Sequence, residues 1–237
     1  MNEFHLSLFA GIAGMLILQI LFTIIVIYYP VVRRYMDREE LLLTSLILIS
    51  LIVEETANFF YPESAGVMIP TSIMSGSMAI GSSSIPYQLI IASGIAIVLA
   101  IVFVLLLLKT REGLVIRAVS QDTESAELMG ANVGRTYALA MALSVIPPTV
   151  CIISIAPVWS IEPSMGASLM QTAILVSILG GLGNIKGSII ASYIVGFLAA
   201  TVAFAIDPRL MGLATLIAVF IVLVFKPTGI AKSETIW

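Results

Sequence analysis

Charge is the property that this 237-residue sequence has least of. Only 11% of its residues are charged and 59% are hydrophobic, with a mean hydropathy of +1.11. A soluble globular domain carries about 25% charged residues, so the composition excludes an ordinary cytosolic enzyme and a disordered chain. Eleven Lys and Arg against fourteen Asp and Glu leave no basic excess, which excludes a nucleic-acid partner. The lipid bilayer is therefore the first partner that the sequence predicts.

Cysteine and histidine are almost absent. One cysteine, Cys151, cannot form an internal disulfide, and one histidine, His5, cannot build a multi-histidine metal site. No Ser/His or His/Asp/Glu constellation suggests catalysis. The phosphate-binding pattern G-x-x-x-x-G-K-[ST] is missing as well. We therefore predict no catalytic residue, no metal and no cofactor, and a chain that depends on another protein for any use of ATP.

Long apolar runs dominate the chain. A membrane-spanning helix needs about 20 apolar residues because the hydrocarbon core is about 30 Å thick. The start has no basic region, so the first run is expected to remain as a span and not to be cleaved as a signal peptide. We predict an all-α polytopic helix bundle, one transmembrane domain over residues 1–237, with about seven spans. These are Leu6–Tyr29, Leu41–Tyr61, Gln88–Leu108, Thr136–Pro157, Ser164–Leu182, Ser188–Ile206 and Leu210–Phe225.

The positions of the basic residues predict the orientation. If all seven segments span the membrane, Arg209 stands alone on one side and the other basic residues share the opposite side, which the positive-inside rule makes cytoplasmic. The N-terminus is then outside and the C-terminus cytoplasmic. The outer side also carries a Ser/Gly-rich stretch from Ser64 to Ser84, either an exposed loop with a short interfacial helix or a docking rim for an external partner. The residues on the basic side are Arg33, Arg34, Arg38, Lys109, Arg111, Arg117, Arg135, Lys186, Lys226 and Lys232.

The cytoplasmic segment 109–135 carries the signals of a short helix. Ser120 or Asp122 can cap its start, and Gly130 suits its end. Ala126, Leu128 and Met129 are expected to give it one apolar side. Because so short a helix is not stable alone, it is predicted to lie either on the membrane surface or in a groove of a cytoplasmic partner.

Four motifs in order resemble one family. Arg117–Arg135 (RAVSQDTESAELMGANVGR) is similar to the cytoplasmic coupling segment of branched-chain amino acid ABC importer permeases. Glu162–Gly166 (EPSMG), Leu179–Gly187 (LGGLGNIKG) and Phe225–Gly229 (FKPTG) resemble later motifs of the same family. The resemblance covers about residues 88–230, and the first two motifs look more like the LivH type of permease than the LivM type.

The resemblance implies a permease subunit in the plasma membrane of a prokaryote that forms a path for branched-chain or related amino acids. Its implied partners are a second permease subunit of the LivM type, two cytoplasmic ATPase subunits and an extracytoplasmic solute-binding protein. The helix at about Asp122–Met129 would transmit ATPase closure to the spans. The residues expected to couple to the ATPase are Asp122, Glu124, Ala126, Glu127, Leu128, Met129 and Gly130.

Several residues within the spans are candidates for the solute path. Glu55 lies either at the outer headgroups or on the path, and a break at Pro163 would let a discontinuous helix point its N-terminus at a carboxylate. The glycine-rich turn near residue 181 is expected to serve packing first. Pro147 and Pro148 either shape a cavity or accommodate a neighbouring helix. The candidate path residues are Glu55, Pro163, Met165, Gly166, Gln171, Gly180, Gly181 and Gly183.

The N-terminal region departs from the family pattern. The family's stretch G-x-T-L-[IV]-x-G-V has no counterpart, and the chain is expected to begin within the family's second or third span, near Pro30–Arg33. A misassigned start, a shortened member and a degenerate member all fit this departure. One alternative is therefore a truncated, non-transporting member. Another is a permease for a different small solute, such as a sugar or a urea-like molecule, because permeases of those classes resemble this architecture. A secondary transporter is disfavoured because neither internal repeats nor intramembrane charge pairs are evident.

Overall fold

The structure is a computed structural model, which describes residues 2–36, 38–61, 74, 76–80, 83–181, 183–226 and 229–230. The chain forms two compact units, Met1–Pro163 and Ser164–Trp237. Helices make up most of both units, as the predicted all-α class requires.

The first unit contains eight α-helices, a π-helical segment and one hairpin among its described residues. They are α1 Asn2–Phe22, the π-helical segment Thr23–Val32, α2 Arg33–Tyr35, α3 Glu39–Phe60, β1 Ser77–Ile80, β2 Ser83–Pro86, α4 Tyr87–Lys109, α5 Arg111–Gln121, α6 Thr123–Leu128, α7 Val133–Ser144 and α8 Ile146–Ile155. The second unit contains three α-helices and one 3₁₀ turn among its described residues. They are α9 Met165–Gly180, α10 Ile185–Ala205, the 3₁₀ turn Pro208–Leu210 and α11 Met211–Phe225.

Each of the seven predicted spans falls on helix. Within the described residues, five helices are long and apolar enough to cross a membrane, which confirms a multi-pass membrane protein. Helix α9 is a shorter apolar helix, and α3, which carries Glu54 and Glu55 in its C-terminal half, is not among the five. The count of seven spans stays a prediction. The five are Ala10–Tyr35, Tyr87–Lys109, Val133–Ile155, Ile185–Ala205 and Pro208–Phe225.

Apolar side chains lie on the outside of these helices. Leu18, Phe197 and Phe204 are examples of large hydrophobic residues that are mostly exposed. In water such a surface would be strongly unfavourable, whereas lipid tails cover it at little cost. The exposed apolar surface therefore agrees with the low charge content of the sequence.

Helices α4 and α8 pack against each other through a buried polar contact. Gln88, at the start of α4, is buried, and its side-chain Nε2 donates a hydrogen bond to the carbonyl oxygen of Ser154 at 2.7 Å. A buried amide without a partner would cost about 1–3 kcal/mol, so this bond favours one register between the two helices.

The two prolines of the fourth predicted span lie where one helix ends and another begins. Helix α7 ends at Ser144, and Pro147 and Pro148 lie in the first turn of α8, where their missing N–H groups cost little. Pro148 and Thr149 line a cavity of about 250 Å³ together with Met15 of α1. Of the two prolines, Pro148 thus borders a cavity, as one of the two interpretations of the sequence expects.

The Ser/Gly-rich stretch before α4 folds, over its described part, as a hairpin. Strands β1 and β2 are antiparallel, with Met78 opposite Ile85 and Ser77 opposite Pro86. The expected short interfacial helix is therefore wrong for these residues. Residues 62–73, 75 and 81–82, which include Ser64, lie outside the described residues.

Small residues bring the helices of the second unit together. Leu179, Ala191, Val195 and Val219 form its buried core, with α10 between α9 and α11. A Cβ atom on Gly180 would collide with the backbone of Ser188, so the end of α9 and the start of α10 can approach this closely only at glycine.

Candidate functional site

The 109–135 segment contains the predicted short helix, and Asp122 caps it. The backbone N–H of Ser125 donates to Asp122 Oδ1 at 2.9 Å, and the Ser125 hydroxyl donates to Oδ2 at 2.6 Å. The hydroxyl donation, followed by the backbone donation, lowers the pKa of the Asp122 carboxyl. Ser120 is not the cap, because it lies within α5 and its hydroxyl donates to the carbonyl of Arg117. Of the two predicted caps, Asp122 is confirmed.

Gly130 ends this helix, as predicted. Its φ is +90°, and its N–H donates to the carbonyl of Glu127 at 2.9 Å. The N–H of Ala131 donates to the carbonyl of Ala126 at 3.0 Å. This pair of bonds is a Schellman motif, which satisfies the last carbonyl groups of a helix. Both ends of the six-residue helix α6 are therefore fixed by specific bonds.

Helix α5, which precedes α6, was missed by the sequence reasoning. Thr110 caps it by accepting a hydrogen bond from the N–H of Gly113 at 3.1 Å. A Cβ atom on Gly113 would lie 2.5 Å from the carbonyl oxygens of Leu106 and Leu107, so the tight corner between α4 and α5 requires glycine. The pattern Thr-x-x-Gly directly after a long apolar run is the signal that could have indicated this corner.

The prediction of one shared apolar side on α6 is wrong. Ala126 is buried against Val119 of α5 and Val133 of α7, whereas Leu128 and Met129 are 85% and 91% exposed. Leu128 follows Ala126 by about 200° around the helix and therefore lies on its opposite side, whereas Met129 lies beyond the last helical residue, at the C-cap. Ala126 therefore fixes α6 to its neighbours and Leu128 and Met129 project outwards. We call the exposed group Glu124, Glu127, Leu128 and Met129 the tip of the segment.

A hydrogen bond links the start of α7 to the first long helix. The hydroxyl of Tyr28 donates to the carbonyl oxygen of Gly134 at 2.6 Å. Tyr28 lies in the π-helical segment, and Gly134 is the second residue of α7. Sequence reasoning missed this bond, which joins residues 106 positions apart. No local sequence pattern predicts a contact over such a separation.

The candidate path residues fall on both units. In the first unit Glu55 is exposed near the C-terminal end of α3, and Pro163 is the last residue of the unit. In the second unit α9 begins at Met165, with Gly166 in its first turn and Gln171 exposed further along. Among the described residues, no group of three or more His, Cys, Asp or Glu is placed to hold a metal ion.

The glycine-rich turn joins α9 to α10. Gly181 and Gly183 have φ values of +97° and +85°, in the left-handed region that favours glycine. Asn184 then caps α10 by accepting from the N–H of Gly187 at 2.9 Å. The end of the described chain returns to this turn, where the N–H of Ile230 donates to the carbonyl of Leu179 at 2.8 Å. Two of the four sequence motifs therefore meet in the second unit.

The long apolar helices indicate a multi-pass membrane protein. The chain belongs to the family described as "Branched-chain amino acid transport system / permease component", whose profile matches residues 6–225. That match extends the resemblance seen from the motifs towards the N-terminus.

Curated relatives carry the same description in their names. The high-affinity branched-chain amino acid transport system permease protein LivH of Salmonella typhimurium is 26% identical over 174 residues, 70% of this chain and 56% of the relative. BraD of Pseudomonas aeruginosa is 25% identical over 68% of this chain and 54% of its own. The probable permease protein LivH of Methanocaldococcus jannaschii is 28% identical over 60% and 48%. The chain thus spans about half the length of the curated relatives it matches. No solved structure matches it.

Proposed function

We propose that this chain is the permease subunit of an ATP-binding cassette importer that moves branched-chain or related amino acids across the plasma membrane of a prokaryote. The family match over residues 6–225 supports a transport role, and the names of its relatives suggest the solute class. The proposed topology has seven spans, an external N-terminus and a cytoplasmic C-terminus. This topology follows from the positive-inside rule, because it puts every basic residue except Arg209 on the cytoplasmic side.

The tip of the 109–135 segment is the observation that carries the coupling role. Leu128 and Met129 are almost fully exposed, although α6 is fixed at one end by Asp122 and at the other by Gly130. Two large apolar side chains that are held in place and exposed to water are unfavourable. Their exposure therefore favours a protein partner that buries them. We propose that an ATPase subunit covers this tip, with Glu124 and Glu127 at its rim.

The ATPase is the appropriate partner because the chain has no phosphate-binding motif of its own. Two ATPase subunits would close on ATP, push on the tip and move the spans. A second permease subunit of the LivM type would complete the path, and an extracytoplasmic solute-binding protein would deliver the solute. In this proposal the carboxylate of the solute meets the N-terminus of α9 at Met165 and Gly166.

Co-purification from membranes tests the proposal. The wild-type chain is expected to bring an ATPase subunit with it, and the Glu124→Ala, Glu127→Ala, Met129→Ala triple variant is expected to lose that subunit. A variant with Ser120→Ala and Gln121→Ala, two exposed residues of α5 outside the tip, is the matched control and should keep it. If no ATPase accompanies the wild-type chain, the proposed function is wrong.

A further inference from the structure

The first long helix, Ala10–Tyr35, contains an irregular segment near its C-terminal end. Residues 23–32 are π-helical, and Pro30 lies inside this segment and donates no backbone hydrogen bond. The N–H of Arg33 reaches back to the carbonyl of Tyr28, a separation of five residues. π-Helical turns are rare and frequently mark functional positions within helices. This segment is therefore the irregular part of the helix.

Tyr28 lies in this segment with its ring buried. It is 7% exposed, whereas the adjacent Tyr29 is 57% exposed. The hydroxyl of Tyr28 donates to the carbonyl oxygen of Gly134 at 2.6 Å, and a Cβ on Gly134 would lie 3.2 Å from that hydroxyl oxygen. The contact is therefore close as well as polar, and it joins the π-helical segment directly to the first turn of α7.

Gly134 is connected to the tip by a short, bonded path. The Schellman motif at Gly130 ends α6, and Asn132 caps α7 by accepting from the N–H of Arg135 at 3.0 Å. Val133 is buried in the same cluster as Ala126. Fixed bonds on both sides of Ala131 leave little freedom between α6 and α7, so a displacement of the tip is passed to Gly134.

We infer that Tyr28 is a positioning residue for transport, whose bond to Gly134 passes movement of the tip to the π-helical segment of the first long helix. This inference rests on the proposed function, since it assumes that an ATPase moves the tip. Tyr28 touches neither solute nor nucleotide in this account. It acts only through the helix that it holds.

The test compares two adjacent tyrosines in the assembled transporter. Tyr28→Phe removes the hydroxyl that bonds Gly134 and keeps the buried ring, and Tyr29→Phe removes an exposed hydroxyl from the next residue. Both variants are reconstituted in proteoliposomes with their partners, and leucine uptake is measured per ATP hydrolysed. We expect Tyr28→Phe to lower this ratio at least fivefold with solute-stimulated hydrolysis retained, and Tyr29→Phe to leave it unchanged.

A merely structural role would lower thermal stability without changing the ratio, and that result overturns the inference. An equal fall of the ratio in both variants overturns it as well.

Hydrogen exchange in the isolated chain separates this inference from the proposed function. If no ATPase associates with the wild-type chain, the proposed function fails, and faster exchange over residues 23–32 in Tyr28→Phe than in Tyr29→Phe still supports the mechanical link. Equal exchange in the two variants contradicts it.

Discussion

The backbone N–H of Ile230 donates a hydrogen bond to the carbonyl oxygen of Leu179 at 2.8 Å. This bond joins the last described residues to the end of α9, beside the glycine-rich turn. At the same place a Cβ on Gly229 would lie 2.8 Å from the backbone nitrogen of Gly181. Gly229 and Ile230 are therefore part of the second unit's packing.

Gly229→Ala is expected to destabilise the protein. Its φ is +77°, and a left-handed conformation costs a residue with a Cβ about 1–2 kcal/mol before any collision is counted. The apparent melting temperature in detergent should fall by several degrees. Gly212→Ala is the matched control, because a Cβ there meets nothing within 4 Å. An equal melting temperature for both variants would contradict the packing described for Gly229 and Ile230.

Asp122 predicts a pH dependence for α6. Hydrogen bonds from Ser125 lower the pKa of its carboxyl below the ordinary value of 3.8, so the charged cap stabilises the helix above that value. The stabilisation is lost as the pH falls through the lowered pKa. The amide resonance of Ser125 should therefore keep its position near neutral pH and titrate with a midpoint below the ordinary value of 3.8. Asp122→Asn, which still caps but does not titrate, should show no such step.

If the Ser125 resonance moves in Asp122→Asn as it does in the wild type, the titrating group is not Asp122. Asp122→Ala should lose the cap at every pH and lower the helical content of the segment. In the assembled transporter the same substitution should weaken ATPase binding, because the tip would no longer be held.

Gly113→Ala should open the corner between α4 and α5. Its Cβ would lie 2.5 Å from the carbonyl oxygen of Leu106, and such overpacking costs about 1–3 kcal/mol. We expect a lower melting temperature together with a loss of ATPase co-purification, since the 109–135 segment would be displaced. Gly94→Ala, within α4 and with nothing within 4 Å of its Cβ, is the control. Normal stability of Gly113→Ala would show that the corner tolerates a side chain.

The sequence was most informative where a signal is local. Long apolar runs predicted the positions of the helices, because the length needed to cross lipid is set by the bilayer alone. Asp122 and Gly130 predicted the two ends of α6, because a cap and a left-handed glycine act on bonds within a few residues. The family resemblance rested on motifs of the same local kind, and the profile match over residues 6–225 confirmed it.

Features that depend on tertiary contacts were not predictable in this way. The burial of Ala126 and the exposure of Leu128 depend on where α5 and α7 lie, and the sequence does not give that position. The bond between Tyr28 and Gly134 joins distant positions. The count of seven spans stays a prediction because α9 is short and α3 carries Glu54 and Glu55, so length and hydropathy alone do not decide for them.

Competition between solutes for uptake tests which class of solute the permease carries. An amino-acid permease should take up leucine in a way that excess isoleucine and valine inhibit and that a sugar or urea does not. Inhibition by a sugar or urea instead would place the chain with the other solute classes that its sequence left open.

Uptake into proteoliposomes tests whether this chain forms the path of an ATP-driven importer. The chain is reconstituted with its second permease subunit, two ATPase subunits and the solute-binding protein, and accumulation of radiolabelled leucine is measured with ATP on the cytoplasmic side. We expect accumulation above the external concentration with ATP, and none with a non-hydrolysable analogue or with the triple variant of the tip. Accumulation that is the same with and without ATP would contradict it.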